Sequence, residues 1–502
     1  MPATLKEPGV YIEEDASLAL SVSNSATAVP VFIGKFTPKK GSPAQVCTRI
    51  SNWLEFTSAF SLAPTTEIVI KSEAKIALDA EKKTGNLVDN SESPQLKAAS
   101  AEISSDTELT PVVEENTRNQ GSGKSATSDE TQKKPTWTYT IEQVNLSPAV
   151  QALQLYFQNG GGACYIYSLN QAENESTKNE LALAAIPELI EQKGDITLLV
   201  CPEVEEVYKA KVYKAVLPLL DNKKVGYFLI ADSNDGTPVA AVGKSAKAAT
   251  YYPQLETNLK FSTLPEDKDI SISGYGDESG KDKLTDLKQL REKDQALAQV
   301  IDTRLRLEQQ QLRSLTLPPS AAIAGIYCQT DSSRGVWKAP ANVALTGVKS
   351  LTDKVDDKRQ GDMNDKGINV IRSFTDRGFM VWGARTCVGA DDTKWRYIPV
   401  RRLFNSVERD IRQALRAVLF EPNNQPTWMR AKAAVDQYLY SLWQKNALMG
   451  NSPEEAYFVQ IGQGITMSET DIKQGKMIMK VGLAAVRPAE FIVLQFTQDI
   501  AQ

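Results

Sequence analysis

The chain has 502 residues, 41% of them hydrophobic and 24% charged, and a formal net charge of -5. That length accommodates two or three domains around a well-buried core, and the charge balance lacks the basic excess of a nucleic-acid binder. There is no histidine, which excludes Ser-His-Asp and Cys-His catalysis and His-containing zinc sites. No run approaches the roughly 18 apolar residues of a membrane span, and no signal peptide opens the chain. Five isolated cysteines (Cys47, Cys164, Cys201, Cys328, Cys387) without a CxxC pair read as reduced and buried in a protein made in the cytosol.

In chain order, Pro8-Gly9-Val10-Tyr11-Ile12-Glu13-Glu14 predicts a short strand after a turn, followed by a small, polar link over 17–27. The apolar run 29–34 is the entry to the core. Residues 71–134 lose their aromatics and are dominated by Ser, Thr, Glu, Asn and Lys, with too little apolar surface to offset ordering entropy, so they form an exposed insertion. Val150, Leu153, Tyr156 and Phe157 sit at helical spacing over 149–157, and Asn159-Gly160-Gly161-Gly162 stops that helix. Then come strand 164–167, helix 178–193, strand 196–201, helix 204–219 and strand 225–231. Strands alternating with helices predict a parallel α/β sheet.

A long charged helix is expected over 282–313, with Leu284, Leu287, Leu290, Leu297, Ile301 and Leu305 on its packed face. A helix over 403–419 breaks at Glu421-Pro422-Asn423-Asn424, and a second starts at Thr427. The chain closes on Phe491-Ile492-Val493-Leu494-Gln495-Phe496, a strand-like run that needs a partner. Strand-capable segments at both ends suggest subunits that exchange strands by β-augmentation.

Three fragments imitate phosphate loops. Gly123-Lys124-Ser125 and Gly243-Lys244-Ser245 have Arg118 and Pro238 where the first glycine of GxxxxGK[ST] belongs, and Gly280-Lys281 has Tyr275 there. Gly160-Gly161-Gly162 follows a helix and precedes a strand, the reverse of a phosphate cradle. The pairs Asp356-Asp357 and Asp391-Asp392 read as solvated loop acids rather than metal ligands. No cofactor is expected. Arg409, Arg412 and Arg416 share one face of helix 403–419, opposite a stripe of Leu403, Val407, Ile411, Leu415 and Val418. That face is either simply solvated or an electrostatic docking face for a protein partner.

Taken in order, several segments resemble the contractile tail sheath family of myophages, contractile bacteriocins and related injection systems. They are Pro8 to Glu14, Trp53-Leu54-Glu55-Phe56, Phe157-Gln158-Asn159-Gly160-Gly161 and Ala324-Gly325-Ile326-Tyr327 with Asp331. Arg334-Gly335-Val336-Trp337-Lys338-Ala339-Pro340-Ala341-Asn342, Gly367-Ile368-Asn369 and Val381-Trp382-Gly383-Ala384-Arg385-Thr386 follow. Tyr397, Arg401-Arg402-Leu403-Phe404, Phe420-Glu421-Pro422-Asn423 and Pro488-Ala489-Glu490-Phe491-Ile492 complete the set. The polar block 71–134 and part of 265–315 depart from the pattern.

The resemblance implies an α/β central domain of subtilisin-like, non-catalytic topology, an α+β C-terminal domain, and extended N- and C-terminal strand-exchange arms. The implied organisation is a linking arm and hinge (1–27), an outer and central domain (28–390), an inner domain facing a tube (391–487) and a linking strand (488–502). The central domain carries the polar insertion 71–136 and a variable helical region 265–315. Val10, Tyr11, Ile12, Phe491, Ile492, Val493, Leu494 and Phe496 would be the intersubunit links, and Arg409, Arg412 and Arg416 would lie on the tube-facing helix. Implied partners are further copies of the chain or paralogous sheath proteins, an inner tube protein, and baseplate and terminal cap proteins, with no nucleic acid and no membrane insertion. Assembly in the bacterial cytoplasm and later release with the particle are expected. A non-contracting assembly protein and a monomeric α/β enzyme are the alternatives.

Overall fold

The computed structural model describes residues 21–39, 41, 46–75, 136–169, 182–221, 226–276, 284–311 and 314–490. Nine strands form its main sheet. In chain order they are β1 (Pro30–Gly34), β2 (Cys47–Ile50), β3 (Cys164–Ser168), β4 (Leu198–Val200), β5 (Phe228–Asp232), β6 (Ala248–Tyr252), β7 (Val343–Ala344), β8 (Ile368–Phe374) and β9 (Gly378–Trp382). Their spatial order is β7-β9-β8-β6-β5-β4-β1-β3-β2. The six inner strands from β3 to β8 are mutually parallel. Strands β2, β9 and β7 each pair antiparallel at the two edges.

The parallel strands are apolar along nearly their whole length because both sheet faces are covered. In β1, Phe32 enters one core while Val31 and Ile33 enter the other, as the two-residue period of a strand requires. The first core is closed by helices α1 (Ala149–Gln158) and α2 (Ser320–Arg334), the second by helix Glu206–Asp221. Gly325 lets α1 and α2 approach closely: a Cβ there would lie 2.5 Å from the Tyr156 carbonyl oxygen.

C-terminal to the sheet, helix α3 (Ile398–Leu415) and helix α4 (Gln425–Gln444) pack through Leu403, Val407, Val435, Tyr438, Leu439 and Leu442. The same core includes Tyr457 and Val459 of a two-stranded antiparallel sheet, Tyr457–Ile461 with Met479–Leu483. A second compact unit spans Lys71–Thr140. Its described residues are the ends of strands Thr66–Lys75 and Thr136–Leu146, joined by a hydrogen bond from the Thr138 hydroxyl to the Glu73 carbonyl at 3.2 Å.

Three expected elements differ in the structure. The helix expected over 282–313 is two, Leu287–Lys293 and Gln295–Gln311, because Asp294 ends the first and caps the second by accepting from the Leu297 amide at 2.9 Å. Helix α3 begins five residues earlier than expected, since Pro399 is tolerated in a first helical turn. Arg401 and Arg402 therefore lie inside the helix and are buried rather than preceding it. It also ends earlier, with a 3-10 turn at Arg416–Val418 and Phe420 at φ 69°. Of the helix expected over 178–193, the structure describes Ile186–Glu191; 170–181 lie outside the described residues.

Gly325→Ala should force α1 and α2 apart and lower stability by about 1–3 kcal/mol, the range for overpacking a tight core. Chemical denaturation measures this; an unchanged midpoint would show that the two helices can yield there.

Candidate functional site

Two polar clusters, each built on a buried arginine, flank the start of helix α3. At the N-terminal side, Arg402 is 3% exposed and its guanidinium donates to the Asp331 carboxylate at 2.9 and 2.6 Å. It also donates to the Thr27 carbonyl at 3.1 Å and lies 4.6 Å from the Tyr327 ring centre. The Thr27 hydroxyl donates to Asp331 at 2.5 Å. About two turns further along α3, Arg409 donates to the Ala26 carbonyl at 2.8 Å, and Asp410 accepts from the Ser25 amide at 3.3 Å. Val22 packs against the C-terminal core. Burial alone would lower the Arg402 pKa; the charge and hydrogen bonds of Asp331 outweigh it and leave the guanidinium more firmly protonated.

At the C-terminal side, the last described residue is Glu490. Arg385, 4% exposed, grips its carboxylate with Nε at 2.9 Å and Nη2 at 2.9 Å. Asn364 Nδ2 donates to it at 2.8 Å and the Tyr397 hydroxyl at 3.0 Å. Burial pushes the Glu490 carboxyl up, but these donors and the guanidinium charge hold it below its usual value. Arg385 is itself positioned by Asn369, which accepts from its amide at 2.7 Å and donates to its carbonyl at 2.8 Å.

The arginines expected on one face of α3 are placed differently from one another. Arg409 is largely buried, 11% exposed, whereas Arg412 and Arg416 are exposed. All three line a cleft of about 650 Å³ with Ser23 to Ala26 and Asp195. Of the opposite stripe, Leu403 and Val407 are buried and Ile411, Leu415 and Val418 half-buried. Val10, Tyr11, Ile12, Phe491, Ile492, Val493, Leu494 and Phe496 lie outside the described residues. Asp331, Arg385, Tyr397, Arg402 and Glu490 each belong to a sequence segment noted for its resemblance, yet their mutual contacts were not readable from spacing, since they span 160 residues.

Of the motif-like fragments, Gly123-Lys124-Ser125 and Gly280-Lys281 lie outside the described residues, and the others resolve into ordinary structure. Lys244 pairs with Asp391 at the surface. Asp356 caps helix Asp357–Asp365, Asp357 pairs with Arg372, and Asp392 accepts from the Lys394 amide at 2.8 Å. Among the described residues no cluster of three or more Cys, Asp or Glu is arranged to hold a metal, and no helix is long and apolar enough to cross a membrane.

Open α/β sheets bind ligands at the carboxyl ends of their strands, where the order reverses. Here that place, between β1 and β4, is filled by the chain's own side chains: Lys35, Glu203, Lys209 and Asp232 are all buried. The Glu203 carboxylate accepts from the Lys35 amide at 2.6 Å and the Ser147 hydroxyl at 2.8 Å. Asp232 accepts from the Ser320 amide at 2.7 Å, and burial pushes its carboxyl up to about 6.

The usual ligand position of the sheet is thus occupied by its own buried side chains. Residues 266–387 match the phage tail sheath protein central domain and 390–499 the phage tail sheath C-terminal domain. Among solved structures, the chain is similar to the helical sheath of the anti-feeding prophage in its contracted state: 41% identical, covering 99% of this chain and 100% of that one, TM-score 0.64. It is also similar to the contracted PVC sheath of an extracellular contractile injection system: 33% identical, 99% of each chain, TM-score 0.61. The tail sheath protein of Vibrio phage KVP40 is 29% identical over 133 residues, a stretch spanning 26% of this chain and 20% of that protein. The chain belongs to the contractile tail sheath family. It is a structural subunit of a contractile sheath, not an enzyme.

Asp331→Ala should orphan the Arg402 guanidinium and cost about 3–5 kcal/mol. Replacing Arg402 by Met as well should recover part of that loss, because no charge is then left unpaired; paired denaturation curves measure both. Asp232 makes a second test. Its folded-state pKa, about 6, lies above its ordinary 3.8. The native state therefore holds the proton while the unfolded chain loses it, and stability falls as pH rises across that window. Asp232→Asn should flatten this decline, read as a wild-type-minus-variant difference in melting temperature that changes between pH 4 and 6 and is level above it.

Proposed function

We propose that this chain polymerises in helical rings around an inner tube, in an extended lattice of higher energy, and contracts to drive the tube through a target envelope. The observation that carries this is the pair of buried root clusters. Residues 25–27 and Glu490 are held firmly in the subunit body; in sequence the apolar segment 491–496 follows Glu490 directly and 10–12 precede residue 25 across the polar link. Such segments can exchange between subunits as added strands. The sheet Tyr457–Ile461 with Met479–Leu483 supports this reading, since it has only two strands among the described residues and an exchanged strand would widen it. The exchanged arms, the domain boundaries near 27, 390 and 487, and the subtilisin-like wiring of the central sheet belong to this proposal.

On this reading the C-terminal domain faces the tube and presents Arg412 and Arg416 to it, while baseplate and cap proteins close the ends of the sheath. The subunits assemble in the bacterial cytoplasm and leave with the particle. Contraction draws its energy from new contact between subunits, at about 2.5 kcal/mol for each ~100 Å² of added apolar burial before binding costs are subtracted. Exposed arginine contacts are weak and screened by salt, which suits a tube contact that must release.

Electron microscopy of the full chain, co-expressed with the tube protein of its own particle, tests this. Ridged cylinders are expected from the full chain and dispersed subunits after removal of 491–502. Arg412→Glu with Arg416→Glu should lower tube-dependent assembly several-fold and make it more salt-sensitive. Assembly unchanged by that double change would mean that another surface holds the tube, and cylinders of a single length under every trigger would mean a lattice that does not contract.

A further inference from the structure

The two root clusters meet the same short stretch of chain. Tyr397, which precedes the first turn of α3, donates to Glu490 at 3.0 Å, and Arg402, within its second turn, holds Thr27 and Asp331. Five residues of helix rise separate them, about 7.5 Å. The stretch is braced on its own account. Arg385 and Tyr397 form an antiparallel bridge, the Ile398 amide donates to the Ala384 carbonyl at 3.0 Å, and Asn405 Nδ2 donates to the Gly226 carbonyl at 2.9 Å.

We propose that the start of helix α3, Tyr397 to Arg402, is a strut joining the roots of both arms within one subunit. A pull on one arm passes to the other through this stretch. Residues 25–27 move with the subunit body, as does Val22, which packs on the C-terminal core. Glu490 likewise moves with the body. Arg385, Tyr397, Arg402 and Glu490 are then positioning residues: they set the direction in which each arm leaves.

This inference rests on the exchanged-arm reading, so the experiment separates the two. Full-length protein carrying Glu490→Gln, or the milder Tyr397→Phe, is compared with wild type and with the 491–502 truncation for sheath yield by electron microscopy, melting temperature and hydrogen exchange. Glu490→Gln should reduce sheath yield by about tenfold, the scale of one charge-assisted hydrogen bond. It should also lower the melting temperature, because it strips Arg385 of its main partner. Tyr397→Phe, which keeps that pair, should be intermediate in yield and melt close to wild type. Exchange should also quicken at the Ser25 amide, which donates to Asp410 on the far side of the strut. Normal sheaths from Glu490→Gln, alongside their loss on truncation, would overturn the strut and leave the exchanged arms standing. Normal sheaths from the truncation would overturn the exchanged-arm reading itself. Quickened exchange confined to residues next to Glu490 would likewise overturn the strut.

Discussion

A guanidinium sealed from water is tolerable only if its surroundings answer it fully, and that requirement organises this molecule around Arg402. Desolvation of the ion opposes burial, so the bidentate contact with Asp331 and the Thr27 carbonyl must all be present together. Asp331 stands near the end of α2, which covers one face of the main sheet. Arg402 stands on α3, whose Leu403 and Val407 build the C-terminal core. Thr27 is where the N-terminal segment meets the body. One ion pair thus registers a sheet, a helical domain and a chain exit against one another. Hydrophobic cores on either side would hold each part without fixing their mutual register so tightly.

The same logic explains why a fold often used for ligand binding offers none at its usual place. The carboxyl ends of β1, β4 and β5 bring Lys35, Glu203 and Asp232 together, charged groups that in an enzyme would face a substrate. Here Glu203 accepts from the Lys35 amide and Ser147, Asp232 accepts from the Ser320 amide, and the Lys35 ammonium reaches Glu205. A sheet topology sets where a site can be, and the side chains decide whether there is one.

Much of the central architecture was legible, because parallel strands buried on both faces declare themselves as unbroken apolar runs and α1 ends at its glycines. Periodicity was blind to two things. It missed the cap at Asp294, where a single carboxylate divides one amphipathic pattern into two helices. It also placed Arg401 and Arg402 before the helix, whereas the helix starts at Ile398 with Pro399 in its first turn. The candidate site was legible as residues but not as a cluster. Arg385, Tyr397 and Glu490 converge only through long-range folding, and nothing local in their surroundings announces a partner.

The arginines of α3 make the division of labour within the helix concrete. Residues 409, 412 and 416 lie on one helical face by spacing alone. Their burial differs because the segment 23–26 runs beside the helix at Arg409 and leaves Arg412 and Arg416 at the rim. Arg409 therefore makes a contact internal to the subunit, which should persist in any lattice. Arg412 and Arg416 remain within reach of other surfaces through water, where contacts are weaker and sensitive to salt. A sheath needs both kinds of bond: internal ones that survive movement and external ones that can be exchanged. Placing them within two turns of one helix puts any contact at the exposed rim beside residues 25–27, which the same helix holds through Arg402, Arg409 and Asp410.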